Sequence, residues 1–196
     1  MNLAKALLFF SLAVLPLAAA DVPRKSPEYA AQTPAGGQIL LSQYKGKVVC
    51  MAFMYTTCPH CQALARELTT LQAEYGPKGF QALGVAFDPG ASGLLANFIK
   101  QTGATFPVGY SEREPPLSYL GLASDARFSI PQIVFIDKKG MIRQQSIPLN
   151  DEKTGSEANL RNMIQTLLAE PGGAAASAAS KKKKKTTTAA VEKKRS

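Results

Sequence analysis

Two cysteines separated by a proline and a histidine, Cys58-Pro59-His60-Cys61, are the residues best equipped for chemistry in this sequence. An unbroken apolar run from Val48 to Tyr55 leads into them, and after Cys58 the apolar positions Ala63, Leu64, Leu68, Leu71 and Tyr75 fall three to four apart. That change of period predicts a strand buried on both faces, feeding a helix whose first turn carries the cysteines. Backbone N–H groups in a first turn lack intrahelical partners and the helix dipole is positive there, so a sulfur at Cys58 is favoured as thiolate, the nucleophilic form. Pro59 has no N–H to leave unpaired and fits the same turn. With two residues between them, Cys58 and Cys61 can close a disulfide, and the chemistry expected is thiol-disulfide exchange. In the reducing direction Cys58 attacks a substrate disulfide and Cys61 resolves the mixed disulfide. His60 adds a donor, and when protonated a charge, near Cys58. Favouring the reduced thiolate raises the reduction potential of the pair.

Other uses of these residues are weaker. A zinc site needs further ligands, and with three cysteines and one histidine in the chain only Cys50 and His60 are left to supply them. Cys50 belongs to the apolar run and is expected to pack as a small hydrophobe, so no metal is expected. A purely structural Cys58–Cys61 bridge would close so short a loop that it removes little unfolded-chain entropy. The redox-active disulfide itself is the only cofactor expected.

The helix and strand that present this pair must belong to a folded domain, and composition locates it. The chain has 196 residues, of which 45% are hydrophobic and 19% charged, enough apolar material for one core. Its formal charge of +9 is concentrated at the end: residues 181–196 hold eight Lys or Arg against Glu192. Residues 21–180 hold 14 basic and 13 acidic residues and are nearly neutral, so a nucleic-acid partner is not expected. Residues 1–20, with Lys5, an apolar stretch from Ala6 to Leu17 and Ala18-Ala19-Ala20, are expected to be an export signal peptide or an N-terminal anchor. Either places the protein outside the cytoplasm, in a periplasmic or other extracytoplasmic setting where disulfides persist. Residues 21–37, rich in Pro, Gly and polar side chains, are expected to be a linker, and 38–170 the domain. Residues 171–196 are expected to be a disordered Ala/Lys-rich tail, either solvated without a partner or adhering to an anionic membrane or cell-wall surface.

Within the domain the strand candidates are Gln38–Leu41, Val48–Tyr55, Gln81–Phe87, Thr105–Tyr110, Ile133–Ile136 and Met141–Ile147. The helix candidates are the segment from Cys58 to Tyr75, Leu94–Gln101, a turn at Leu117–Leu122 and Glu157–Ala169. Alternation of strand and helix predicts an α/β fold of about five core strands, a mixed sheet with helices on both faces.

The segments Gly46-Lys47-Val48-Val49, Thr57-Cys58-Pro59-His60-Cys61 and Ser129-Ile130-Pro131-Gln132-Ile133-Val134-Phe135-Ile136-Asp137 resemble the exported thioredoxin-like proteins of the TlpA/ResA group, over about residues 36–170. The resemblance implies a thioredoxin-like fold, with the helix-strand insertion of that group at Ala91–Tyr110. It implies a cis Ile130–Pro131 peptide bond, with Ile130 and Pro131 beside the redox pair to receive an extended substrate strand. It also implies exported thiol or disulfide proteins as substrates and an upstream membrane thiol donor or acceptor. The chain departs from the pattern where Ala52 and Leu64 stand at the positions at which thioredoxin and ResA carry an acid, so no base for Cys61 is evident. Pro-His is also the dipeptide of the oxidant DsbA, which leaves the direction of electron flow open. The alternative is a thioredoxin-like binding module such as an SCO-like copper carrier, to which Met54–Pro59 is similar, although those proteins space their cysteines by three residues and use a distant His. A peroxiredoxin would carry Thr where Tyr55 stands.

Overall fold

Seven consecutive residues, Val48 to Met54, are all buried, and the rest of the chain assembles around them. The computed structural model describes residues 21–149, 151 and 153–172; the expected signal or anchor at 1–20 and the expected tail beyond Gly172 lie outside the described residues. In chain order the elements are β1 (Arg24–Lys25), β2 (Ala30–Gln32), β3 (Gln38–Leu40), β4 (Val48–Met54), α1 (Pro59–Tyr75), β5 (Phe80–Ala86), α2 (Ala91–Thr102), β6 (Val108–Tyr110), α3 (Glu114–Leu120), β7 (Gln132–Ile136), β8 (Met141–Gln145) and α4 (Glu157–Ala169). Among the described residues one mixed sheet of eight strands runs in the order β1-β8-β7-β4-β5-β6-β2-β3. β4 pairs in parallel with β5, and β5 with β6, so α1 and α2 serve as the crossovers that parallel neighbours require. On its other side β4 pairs antiparallel with β7, which turns back into β8.

Side chains of β4 alternate between two cores. Cys50, Ala52 and Met54 face Leu64, Leu68 and Leu71 of α1, Leu95 and Phe98 of α2, and Leu160, Ile164 and Leu167 of α4. Val49, Met51 and Phe53 face Tyr119 and Leu120 of α3 and the ring of Tyr29. Tyr29, Phe53 and Tyr119 form an aromatic cluster with ring centroids 5.3–5.6 Å apart. Each fully buried Leu or Phe contributes roughly 1.5–3 kcal/mol relative to exposure, so the Leu64-Leu68-Leu71 stripe is what holds α1 against the sheet. Helices therefore cover both faces, three on one and α3 on the other. This is the thioredoxin-like α/β arrangement that the sequence predicts.

Two expectations need correction. Residues 21–37 are not simply a linker: β1 pairs with β8 and β2 pairs with both β3 and β6, extending the sheet at both edges. The cause is burial of Tyr29 and Ala31, together with Gly109, where a Cβ would stand 2.7 Å from the backbone oxygen of Gln32. Only glycine lets β2 come so close to β6. With these edge strands the sheet reaches eight strands among the described residues, around the expected core of about five. Elsewhere the corrections are of length. β6 is confined to Val108–Tyr110, starting after Pro107, whose ring has no N–H for a ladder. The predicted insertion at Ala91–Tyr110 is occupied by α2 and β6.

Candidate active site

β4 ends at Met54, and the chain reaches α1 through a tight connection at Tyr55 to Cys58. Cys58 N–H donates to Tyr55 O at 3.3 Å, and Gln62 N–H donates to Cys58 O at 3.0 Å, closing the first helical turn. Cys58 is the N-cap of α1, with extended backbone (φ −79°, ψ 122°), and Pro59 occupies the first helical position. The Cys58 side chain accepts no capping hydrogen bond, so what the structure gives its sulfur is a place at the positive end of the helix dipole. Cys58 is half-buried, Pro59 and His60 are exposed, and Cys61 is fully buried under the first turn. All three cysteines are free thiols.

The two motif sulfurs therefore have unlike surroundings. Burial pushes the Cys61 thiol far above its ordinary range; the Tyr55 backbone pulls the other way, and the neighbouring Cys58 sulfur and the charge of Asp88 add to the rise. Cys50 is also fully buried, on β4, and burial raises its thiol in the same way. It is a packed core residue.

Asp88 is a site residue that sequence reasoning missed. It follows the C-terminal end of β5 and is 8% exposed. Its carboxylate accepts from Thr56 N–H at 2.9 Å and from the Thr56 hydroxyl. Gln62 Nε2 donates to Thr56 O at 3.0 Å, so the connection leading to Cys58 is held from both sides. The signal was available, because the parallel register that sets Met54 against Ala86 carries residue 88 alongside residue 56. An acid directly after a strand buried on both faces must find partners, and the adjoining strand end is where they lie. Asp88 also lines a cleft of about 310 Å³ with Tyr55, Tyr110 and Glu112, which connects it to solvent. Ala52 and Leu64, where an acid would stand in the family pattern, are buried apolar packing residues.

Ile130 and Pro131 arrive by the antiparallel strand. Phe53 pairs with Gln132, so the residues just before β7 lie beside the end of β4. The Ile130–Pro131 peptide bond is cis, and Ile130 and Cys58 both pack against the core beneath α1. His60, Ile130 and Pro131 line one open groove of about 710 Å³ with Leu64, Glu67 and Asp151. Thus His60, Ile130 and Pro131 share one groove and Ile130 packs on the same core as Cys58, while Cys58 and Cys61 themselves are not among the residues lining that groove. Among the described residues no hydrogen bond is made by the His60 side chain.

The chain matches the AhpC/TSA family over residues 22–145. It is 26% identical over 128 residues to the thiol-disulfide oxidoreductase ResA of Bacillus thuringiensis (strain Al Hakam), a match spanning 65% of this chain and 70% of that protein. Among solved structures it is similar to a thiol:disulfide interchange protein DsbE from Chlorobium tepidum, with a TM-score of 0.63, 25% identity, and coverage of 76% of this chain and 99% of that one. A second thioredoxin family protein from Chlorobium tepidum TLS gives the same TM-score at 22% identity, covering 77% of this chain and 100% of that one, and shares the fold.

If the Asp88 carboxylate clamps the approach to Cys58, Asp88→Ala leaves the buried Thr56 N–H unpaired and is expected to cost about 1–3 kcal/mol. Asp88→Asn keeps an acceptor for that N–H and is expected to cost less. Urea unfolding of the two variants separates them, and equal midpoints would remove the clamp.

Proposed function

The chain belongs to the AhpC/TSA family, and we propose that this protein is a thiol-disulfide oxidoreductase whose reaction runs through Cys58 and Cys61. The observation that carries the reading is the asymmetry of the two sulfurs, Cys58 half-exposed at the head of α1 and Cys61 fully buried behind it. An attacking thiol must reach a partner in solvent, whereas a resolving thiol need only reach its neighbour. The likeness to ResA and DsbE proteins, both named for thiol-disulfide chemistry, supports the same reaction class.

In the reducing direction the Cys58 thiolate attacks one sulfur of a partner's disulfide. That S–S bond breaks, the other partner sulfur leaves as a thiolate, and a mixed disulfide joins the partner to Cys58. Cys61 then gives up its proton and attacks the Cys58 sulfur. The Cys58–Cys61 disulfide forms and the second partner sulfur is expelled, so the partner is reduced by two electrons and the pair is oxidised. Run backwards, the same steps oxidise a partner dithiol. The Cys58–Cys61 disulfide is then the only cofactor required.

The other residues take positions in this scheme. Ile130 and Pro131 offer the groove wall on which an extended partner segment would lie across Cys58. His60, on the same wall, would favour the Cys58 thiolate when protonated. Asp88, clamped to Thr56 two residues before Cys58 and opening onto a cleft, would take the Cys61 proton in the resolving step. The partners are exported thiol or disulfide proteins, with a membrane thiol donor or acceptor upstream, and the basic residues at 181–196 favour an anionic membrane or cell-wall surface.

Replacing Cys61 with Ser is expected to trap partners as mixed disulfides on Cys58, recovered by non-reducing electrophoresis and lost in the Cys58→Ser, Cys61→Ser double variant. A folded, exported Cys61→Ser protein that traps nothing would sink exchange as the function. The pH profile of mixed-disulfide resolution tests Asp88. The carboxylate's charge raises the Cys61 thiol, so if charge were its whole effect, Asp88→Asn would ease ionisation and move the profile to lower pH. As proton acceptor its loss instead moves the profile to higher pH. For His60, His60→Ala is expected to lower the reduction potential, read by equilibration with glutathione; an unchanged equilibrium removes His60 from the mechanism.

A further inference from the structure

The end of the sheet opposite the redox pair carries a separate chemical feature. β4 rises from this end toward Cys58 over seven residues, about 20 Å. Lys45 and Lys47 precede β4. The register that sets Val49 against Ile136 brings the Asp137–Gly140 turn, with Lys138 and Lys139, to the same end. Lys25 pairs with Met141 directly after that turn, and Lys78 precedes Phe80, which pairs with Val48. Six lysines, five from three separate connections and Lys25 from β1, therefore share one pole.

Few acids answer them. Asp137 and Glu170 are both engaged by Arg143, at 3.1 and 2.6 Å, and Asp137 also accepts backbone N–H groups from Lys139 and Met141. Glu74, near the end of α1, is paired with Arg161. Glu28 accepts from Ser42 N–H and is the remaining carboxylate at the cleft. Lys138 is held by the carbonyls of Leu168 and Glu170 at the end of α4, and Lys78 lies over the Tyr75 ring. Lys25, Lys45, Lys47 and Lys139 are exposed and line a cleft of about 400 Å³. Leu41 and Tyr44, both half-buried, give that cleft an apolar side. The clefts at the redox end are lined instead by four acids, Glu67, Asp88, Glu112 and Asp151, against Arg113 and His60.

The chain also continues from this pole. Gly172, whose added Cβ would lie 3.6 Å from the Lys138 side chain, is the last described residue, and the eight Lys or Arg of residues 181–196 follow it. A basic rim on an amphipathic cleft, at the pole where the described chain ends ahead of a basic sequence, matches phosphate headgroups set over hydrocarbon better than it matches a wholly hydrophilic polymer. We infer that the lysine pole is a docking face for an anionic phospholipid surface, and that docking there turns Cys58 and the groove of Ile130 and Pro131 away from the membrane. The face belongs to the fold itself and does not depend on the thiol chemistry.

Each basic residue seated near an anionic membrane strengthens binding by about fivefold. Sedimentation of the full chain with phosphatidylcholine vesicles, with and without phosphatidylglycerol, isolates the charge-dependent part of binding. The variant Lys25→Gln, Lys45→Gln, Lys47→Gln, Lys139→Gln is expected to lose at least about tenfold of it while reducing insulin like the parent chain. The pair Lys45→Glu, Lys47→Glu serves as a second variant should the fourfold change disturb folding. With Lys181 to Lys185 all changed to Gln, part of the phosphatidylglycerol-dependent binding is expected to survive. Cys58 is expected to stay open to a membrane-impermeant maleimide on the vesicles. The inference is overturned if the parent chain binds both vesicle types equally, if the pole variants bind as the parent does, if the change at Lys181 to Lys185 abolishes all charge-dependent binding, or if vesicles shield Cys58.

Discussion

A strand with no wet face can act on the outside world only at its ends, and β4 is such a strand. Because β5 lies parallel to it, the outgoing end of β5 arrives at the same place, bringing Asp88. Because β7 lies antiparallel, its incoming end arrives there too, bringing Ile130 and Pro131. One register thus assembles three segments far apart in the chain around the first turn of α1. The helix contributes the electrostatics. Its leading N–H groups have no partners of their own, and Cys58 occupies the cap position that faces them.

The parts of this arrangement legible in the sequence were those with a long periodic signal or a chemical singularity. The eight-residue apolar run ending at Tyr55, the 3.6-residue stripe from Leu64 to Tyr75 and the paired strand candidates Ile133–Ile136 and Met141–Ile147 each announce an element by pattern. Cys58 and Cys61 announce themselves by spacing. What escaped has neither property. β1 and β2 are two and three residues long, too short for alternation to register, and their Pro-rich surroundings point to a linker. Their pairing is decided by tertiary facts: the burial of Tyr29 against Phe53 and Tyr119, and the absence of a side chain at Gly109. Asp88 escaped because its partner, Thr56, is 32 positions away and is brought close only by the β4–β5 pairing.

As the proposed proton acceptor for Cys61, Asp88 also bears on why Ala52 and Leu64 can be apolar here. A group that serves a buried thiol must meet two conditions: reach it, and remain tolerable as a buried carboxylate. The second is the harder one, since an unpartnered buried charge is costly. At position 52 a carboxylate would face the core formed with α1 and α4, where the neighbours are Leu and Ile. Beyond the end of β5 the neighbours include a free N–H and a hydroxyl of Thr56, and a cleft admits water. The acid is therefore cheaper to keep at the strand end, and the core positions are released for packing.

The same strand directions that gather the redox residues at one end collect the opposite connections at the other. Those connections precede β4 and β5 and link β7 to β8, and their lysines share a pole for reasons of topology alone. A near-neutral total over residues 21–180 hides this, because a sum discards position. The separation holds because the carboxylates at the lysine end are consumed locally. Arg143 takes both Asp137 and Glu170, and the backbone of the turn takes what remains of Asp137. Arg143 thus closes the β7–β8 turn onto the end of α4 and, in the same contacts, leaves Glu28 as the carboxylate facing the exposed lysines of the cleft. The fold's polarity follows from where its buried central strands begin and end.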